Sequence, residues 1–265
     1  MNTIAALTVL VGSLVAAAGI IAYPRLRLLV RGPARLSEAE RRRLWALLPW
    51  RGLLDARQRA RMPRLAAQLI ADVRFIGCQG LEITDDMRLV VAGQASLLCL
   101  GATPGAFTLP SEVLIYPDAY QARDERGVES IRLGESWRTG SVVLSWESVR
   151  QGSMNPEDGR NVVLHEFAHQ LDQFDGRADG LPVLKSRGHY PEWAEAMKAS
   201  YQKLRARVER GARTVLDDYG ATNPAEFFAV ATETFFEKPE QLVREHQGLY
   251  EQLKRFYGLD PLEWE

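Results

Sequence analysis

The stretch Asn161-Val-Val-Leu-His165-Glu166-Phe-Ala-His169-Gln-Leu-Asp172 combines apolar residues at helical spacing with two histidines four positions apart. It predicts a helix over residues 159–173 that packs its apolar side chains into the core of the domain. Residues i and i+4 lie on one face of a helix, so both imidazoles can reach the same metal ion. Because imidazole nitrogens bind zinc at about 2.0–2.1 Å, His165 and His169 are predicted to hold one Zn²⁺ per chain.

Glu166 follows the first histidine directly and lies about 100° further round the helix. Its carboxylate is therefore poorly placed to bind the same ion but well placed to take a proton from an attacking water. We predict that Glu166 is the general base of a metal-assisted hydrolysis. The chain has four histidines in all, so two at this spacing are informative. The alternative is a pair of structural histidines on a buried helix.

A catalytic zinc ion takes three protein ligands and keeps one position open, so a third ligand is required. Asp175 is close in sequence, but the chain would have to turn sharply to bring it to the metal. Glu226 and Glu233 lie seven residues apart on a predicted helix over 224–237, and so share one face. Spacing alone does not choose between these two glutamates. Tyr219 precedes Glu226 by the same interval and could donate its phenol to a developing oxyanion.

Two acidic residues are predicted to support the site without binding the metal. Asp172, three residues after His169, could accept a hydrogen bond from a ligand imidazole and fix its orientation. A solvated aspartate at the end of the helix is the alternative for this residue. Glu233 could support the site in the same way as Asp172.

The rest of the chain predicts an α+β fold, with a small mixed sheet flanked by helices and a mostly helical second half. Ser37 and Glu40 form a capping-box pattern that predicts a helix to Leu48. Further helices are predicted over residues 63–76, 85–100, 191–208, 224–237 and 239–257. Short runs rich in β-branched and aromatic residues predict strands over 112–116 and 141–146, and a third over 131–133. These elements form a predicted zincin-like metallopeptidase domain over residues 37–265.

Composition and charge narrow the classes of function. The chain has 265 residues, of which 46% are hydrophobic and 25% charged, as in ordinary folded proteins. Its formal net charge of -1 provides no positive field for phosphates, so no nucleic-acid partner is expected. Cys78 and Cys99 lack the close spacing of a metal-binding pair and are predicted to be buried in a reducing compartment.

The first 24 residues carry no charged side chain, and residues 4–22 are almost entirely apolar. About 20 such residues in a helix span the hydrocarbon core of a bilayer, which favours a membrane anchor over residues 1–24. A cleaved signal and a buried core helix are the alternatives. The linker at 25–36 is basic, and the positive-inside rule then predicts a single-pass inner-membrane protein with its catalytic domain in the cytoplasm. A wholly cytoplasmic protein is the alternative location.

Several pieces of the sequence resemble the Mlc titration factor A family of bacterial zinc peptidases, whose active site is similar to that of the anthrax lethal factor catalytic domain. The pieces are residues 112–117, 134–137, 141–146 and 165–172, and Tyr219-Gly-Ala-Thr-Asn-Pro-Ala-Glu226-Phe-Phe-Ala-Val. The resemblance runs from about residue 36 to the C-terminus. It implies that Glu226 is the third zinc ligand and that Tyr219 stabilises the transition state. The family has a soluble cytoplasmic member, so the apolar run at 4–22 is a departure.

The resemblance further implies peptidase or aminopeptidase activity and binding to a glucose-responsive repressor of sugar uptake. Two functions are therefore open at the level of sequence. The first is a zinc metallopeptidase that acts on a peptide or protein substrate. The second is a protein that binds and sequesters a regulator, with a mainly structural zinc. A purely structural zinc has four protein ligands and needs no general base, so Glu166 favours the first function.

Overall fold

The computed structural model describes residues 34–101, 109–118, 120–123, 129–132, 134–137 and 140–264. The chain divides into two units, Met1–Arg35 and Leu36–Glu265, and every described helix and strand belongs to the second. The predicted anchor at 1–24 and most of the predicted linker at 25–36 lie outside the described residues. Among the residues that are described, no helix is both long and apolar enough to cross a bilayer.

The described part of the chain alternates helices with short strands, as predicted for an α+β protein. Its α-helices are α1 (Glu38–Leu47), α2 (Ala56–Asp72), α3 (Asp85–Leu97), α4 (Trp146–Met154), α5 (Val162–Asp172), α6 (Tyr190–Val208), α7 (Pro224–Glu237), α8 (Pro239–Glu245) and α9 (Gln247–Tyr257). Its strands are β1 (Arg74–Gly77), β2 (Glu112–Tyr116), β3 (Tyr120–Arg123), β4 (Glu129–Arg132), β5 (Gly134–Trp137) and β6 (Ser141–Ser145). Short 3₁₀ turns connect several elements; Gln173–Asp175 follows α5, and Asp218–Ala221 precedes α7.

Four of the strands form the main sheet, in the order β1-β2-β6-β5. β1, β2 and β6 run parallel, and β5 pairs with β6 in the antiparallel direction. Every residue of β6 is buried, as expected for a central strand covered on both faces. The predicted small sheet flanked by helices is therefore confirmed, including the strand at 112–116. The strand predicted over 141–146 ends one residue earlier, because Ser145 caps helix α4.

Helices α3 and α7 form the centre of the core. In α3, the residues from Met87 to Leu97 are buried, apart from Arg88, and the helix contacts α1, α2, α4 and α5. Helix α7 is buried along nearly its whole length and contacts α5, α6, α8 and α9. Helix α5 lies between α7 on one side and strands β5 and β6 on the other. The helix with the histidine motif is therefore held by the core of the domain.

Three sequence predictions need correction. The predicted helix at 63–76 instead begins at Ala56, because Asp55 and Gln58 form a capping box, and it ends at Asp72. Residues 74–77 are the strand β1, because they pair in parallel with β2. The predicted helix at 239–257 is interrupted at His246, whose φ of -139° and ψ of 54° are not helical. The predicted third strand corresponds to β4, which pairs with β3 in a separate hairpin.

Candidate metal centre

The N-terminus of helix α5, which carries the two histidines, is held in place by a side-chain cap. Asn161 is the N-cap, and its side chain accepts a hydrogen bond of 3.1 Å from the backbone N–H of Leu164. Val163, Leu164 and Ala168 are fully buried, so the helix cannot rotate without exposing apolar surface. His165 and His169 point together towards α7, where they contact Glu226.

Helix α7 begins in a way that brings an acidic residue to the same place. Asn223 is the N-cap and accepts a 3.0 Å hydrogen bond from the backbone N–H of Glu226, while Pro224 occupies the first turn, where its missing N–H costs nothing. Glu226 thus lies in the first turn of α7, and its side chain turns towards α5.

Three potential metal ligands meet between α5 and α7. The Nε2 atoms of His165 and His169 lie 3.2 Å apart, and Oε2 of Glu226 lies 3.0 Å from the first and 3.2 Å from the second. Ligands about 2.05 Å from a tetrahedral zinc ion are separated by about 3.3 Å, so these three atoms match one face of such a tetrahedron. Among the described residues, His165, His169 and Glu226 form a cluster whose ligand atoms lie close enough together to hold a metal ion. The donor set fits a divalent metal.

Glu233 sits behind the cluster and fixes the orientation of His165. Its Oε1 lies 2.7 Å from Nδ1 of His165, where it accepts the ring N–H. A neutral His165 then carries a lone pair on Nε2, which faces the carboxylate of Glu226. Two such acceptors at 3.0 Å repel each other unless a cation or a proton lies between them. The geometry thus demands a positive charge at this point.

The pKa shifts of His165 and Glu226 in the metal-free protein also indicate that a positive charge is favoured between them. Burial disfavours the charged imidazolium, but Glu233 and Glu226 outweigh burial and raise the pKa of His165 well above its usual value. Burial also opposes ionisation of Glu226, but hydrogen bonds from both imidazoles outweigh it and lower the pKa of that carboxyl. A proton can therefore occupy the place that a divalent cation would take, and the two compete for it.

Glu166 is buried beside the cluster, with only 4% of its surface exposed. Its Oε2 has no hydrogen-bond partner among the described residues, which is unusual for a buried carboxylate oxygen. Burial raises the pKa of Glu166 to about 7, and the two histidines partly oppose that rise. A carboxyl with a pKa near 7 can both accept and return a proton at neutral pH.

Tyr219 approaches the cluster from the 3₁₀ turn Asp218–Ala221. Its ring centroid lies 6.1 Å from that of His165, and 55% of the residue is exposed. The backbone N–H of Tyr219 donates a 3.0 Å hydrogen bond to Oδ1 of Asp217, which holds the turn in place. The Tyr219 ring is therefore close to His165, and more than half of the residue is accessible to solvent.

Asp172 has a different partner from the imidazole suggested by the sequence. Its Oδ2 accepts a 2.9 Å hydrogen bond from the backbone N–H of Gly180, and its Oδ1 has no partner in the described part of the chain. Burial raises the pKa of Asp172 to about 6, and the Gly180 N–H opposes the rise. Asp172 thus holds the loop after α5. The reason is geometric: the loop returns past the end of the helix and presents a backbone donor.

Three residues that the sequence analysis did not single out contribute to this region. Gly180 also accepts a 3.4 Å hydrogen bond from the indole of Trp193, so its peptide is held on both sides. Asn161 and Glu237 form hydrogen bonds beside Glu233. The position of Asn161 directly before an apolar helix is the sequence signal for an N-cap. Glu237 follows Glu233 by one helical turn, so its spacing places it on the same face of α7. By contrast, the rejected ligand candidate Asp175 is exposed and accepts a hydrogen bond from Arg177.

Comparisons with known proteins place the chain among peptidase sequences. A family model described as glucose-regulated metallo-peptidase M90 matches residues 25–258. A protein of Synechocystis sp. named "Uncharacterized protein slr2042" is 41% identical over 224 residues, which cover 81% of this chain and 82% of that protein.

Two relatives named "Mlc titration factor A" confirm the resemblance seen in the sequence. The Serratia proteamaculans protein is 31% identical over 226 residues, covering 81% of this chain and 85% of its own length. The Yersinia pestis protein is 34% identical over 234 residues, covering 81% and 83%. A metallopeptidase family implies a divalent metal, and the His/His/Glu cluster is a site that can hold one. The chain therefore belongs to the glucose-regulated metallo-peptidase M90 family.

Proposed function

We propose that the protein is a zinc-dependent peptidase, with His165, His169 and Glu226 as the three ligands. The observation that carries this proposal is the separation of 3.0–3.2 Å between each pair of ligand atoms, beside a buried glutamate. Zinc suits two imidazoles and a carboxylate and leaves a fourth position open for chemistry. When bound, it supplies a Lewis acid that polarises the scissile carbonyl and lowers the pKa of the attacking water.

The residues of the chain divide the remaining work between them. Glu166 takes the proton from the attacking water and later delivers it to the leaving amine, a role that its buried position next to the ligand His165 in α5 supports. Tyr219 donates its phenolic O–H to the carbonyl oxygen as negative charge develops there. Glu233 keeps His165 in the tautomer whose Nε2 faces the metal.

The substrate is a peptide or an exposed protein terminus, and the family resemblance implies peptidase or aminopeptidase activity. The name of the relatives, Mlc titration factor A, supports an additional role in binding a transcriptional repressor of sugar uptake. The second candidate function is regulator binding alone, with a mainly structural metal. The unpartnered Glu166 oxygen disfavours that candidate, because a structural site has no use for a buried carboxylate aimed beside the ligands.

The apolar run at residues 4–22 supports a single-pass anchor in the inner membrane, with the peptidase domain in the cytoplasm. A purely cytoplasmic location is the alternative. Fractionation of cells that express the full-length chain separates the two. We expect the protein in a carbonate-washed membrane pellet, and recovery in the supernatant without detergent contradicts the anchor.

The decisive experiment for the peptidase is Glu166→Gln, which keeps the size of the side chain and removes the base. We expect one zinc ion per chain in the variant and the wild type alike, and a fall in kcat of about 10²–10⁴ on a peptide substrate. Glu82→Gln, at an exposed position on the same chain, is the matched control and should leave kcat unchanged. A Glu166→Gln protein that retains zinc and cleaves at the wild-type rate would refute the assignment. Wild-type zinc binding with repressor capture and no cleavage would support the second candidate.

A further inference from the structure

The interface between α5 and α7 contains a line of polar side chains that extends beyond the metal cluster. We call this line the polar seam. Its members are the α5 cap Asn161, His165 and His169 within α5, and Glu226, Glu233 and Glu237 of α7. The α5 members follow one another at intervals of four residues, so they lie on three successive turns of one face. Asn161 meets Glu233 and Glu237, and His169 meets Glu226, so the two helices run antiparallel along the seam.

The end of the seam away from the metal is deeply buried and densely hydrogen-bonded. Asn161, Glu233 and Glu237 are 1%, 7% and 4% exposed. Oε1 of Glu237 accepts a 3.1 Å hydrogen bond from Nδ2 of Asn161, and Oε2 accepts one of 3.0 Å from the backbone N–H of Arg160. The start of α5 is thus tied to the last turn of α7.

Glu233 transmits this attachment to the metal cluster. One of its oxygens accepts the backbone N–H of Asn161, and the other accepts Nδ1–H of His165. A displacement of Asn161 relative to α7 therefore pulls on the same carboxylate that orients the ligand ring. Apolar packing between the helices has no preferred direction, whereas hydrogen bonds lose strength quickly when their geometry changes.

We propose that Asn161 and Glu237 are positioning residues for the metal, which set the placement of His165 through Glu233. This inference rests on the proposed metal site. Glu226 lies eleven residues before Glu237 on α7, a distance of about 16 Å along the helix. The metal holds α5 to the start of α7, and Asn161 with Glu237 holds it to the end. A single attachment would allow one helix to pivot on the other. Two attachments at separate points fix the relative placement of α5 and α7.

Asn161→Ser tests this inference in the full-length chain. The serine oxygen still caps α5 by accepting the Leu164 N–H, but the donor to Glu237 is lost. We expect the Kd for Zn²⁺, measured by competition with a chelator, to rise about 10–100-fold, as is typical for residues that support ligands. We also expect the visible absorption bands of the Co²⁺-substituted protein to shift, because the ligand geometry changes.

A control variant separates this effect from loss of stability. Thr84 caps α3 by accepting the N–H of Met87, far from the seam in sequence. Thr84→Ala should lower the melting temperature but leave the zinc Kd and the Co²⁺ spectrum at their wild-type values. Glu237→Leu, which keeps a similar size but removes the acceptor of the Asn161 Nδ2–H, is the second seam variant, and it should weaken zinc binding in the same direction as Asn161→Ser. Combined, the two seam substitutions should weaken binding by less than the product of their separate effects, because they break one shared interaction.

The outcomes distinguish the inference from the proposed function. A zinc Kd within twofold of wild type in both Asn161→Ser and Glu237→Leu, with unchanged Co²⁺ spectra, overturns the inference and leaves the metal site in place. Equal losses of zinc affinity in Thr84→Ala and the seam variants also overturn it, since the effect would then be one of stability. A wild-type chain that binds neither Zn²⁺ nor Co²⁺ overturns the proposed function and the inference together.

Discussion

Gly180 offers a sharp test of how the loop after α5 supports the metal ligands, because Gly176 provides a matched control in the same loop. Both glycines have positive φ, 75° at Gly180 and 85° at Gly176. An alanine with positive φ costs about 1–2 kcal/mol in free energy of unfolding, so both Gly→Ala substitutions include this backbone cost. At Gly176 nothing lies within 4 Å of an added Cβ, so the backbone term is the whole cost.

Gly180→Ala carries a second cost. The added Cβ would lie 2.3 Å from the carbonyl oxygen of Pro224, and that atom belongs to the first turn of α7. Overlap of about 1 Å with backbone forces a shift, and such overpacking costs about 1–3 kcal/mol. We therefore expect Gly176→Ala to lower the free energy of unfolding by about 1–2 kcal/mol, and Gly180→Ala by about 2–5 kcal/mol.

The metal provides the more specific readout. Pro224 lies two residues before Glu226, so a displaced first turn of α7 moves the third ligand. We expect Gly180→Ala to weaken zinc binding at least tenfold, which corresponds to about 1.4 kcal/mol, and Gly176→Ala to leave the Kd within about twofold. Chelator competition measures the Kd, and urea unfolding of the metal-free chains measures stability. Equal losses in the two variants, in both assays, would show that the contact with Pro224 does not position Glu226.

Two further predictions concern other residues. Tyr219→Phe should lower kcat by about 10²–10³ with little change in KM or zinc content, because it removes a hydrogen-bond donor to the oxyanion. A raised KM at constant kcat would assign Tyr219 to substrate binding instead. Burial lowers the pKa of His246 to about 4, with Lys203 and Arg207 adding to the effect. Between pH 6.5 and 4 the unfolded chain therefore binds a proton at His246 that the folded chain does not. The stability that neutral His246 contributes is complete above pH 6.5. It declines as the pH falls, by at most about 1.4 kcal/mol per pH unit. The free energy of unfolding of His246→Gln should depend less on pH over this range than that of wild type, and identical slopes would contradict the prediction.

The part of the site that depends on one helix was predictable from the sequence. Helical periodicity alone brings His165 and His169 to one face, whatever the rest of the chain does. Glu226 and Glu233 could not be separated in that way, because seven residues on a helix return to the same face. What separates them is the antiparallel packing of α5 against α7, which sets Glu226 at both Nε2 atoms and Glu233 at Nδ1 of His165. That arrangement depends on tertiary packing.

Irregular and long-range features were the ones that the sequence did not predict. Asp172 binds the backbone of Gly180, and a loop without periodicity gives no sign that it returns to the helix end. The strand β1 continues the apolar spacing of α2, so the two were predicted as one helix. Its strand conformation depends on parallel pairing with β2, where Arg74 lies opposite Glu112. Periodicity within β1 is too short to reveal that partner.

The polar seam also limits how α5 and α7 can dock while the chain folds. Both helices present apolar faces that could slide past each other by one turn, about 5.4 Å, at modest cost. Such a slip would move Asn161 away from Glu237 and leave a buried carboxyl without its donors, at a cost of about 1–3 kcal/mol or more. Neighbouring registers are therefore unequal in energy, and the correct alignment of the two helices is favoured before any ion arrives.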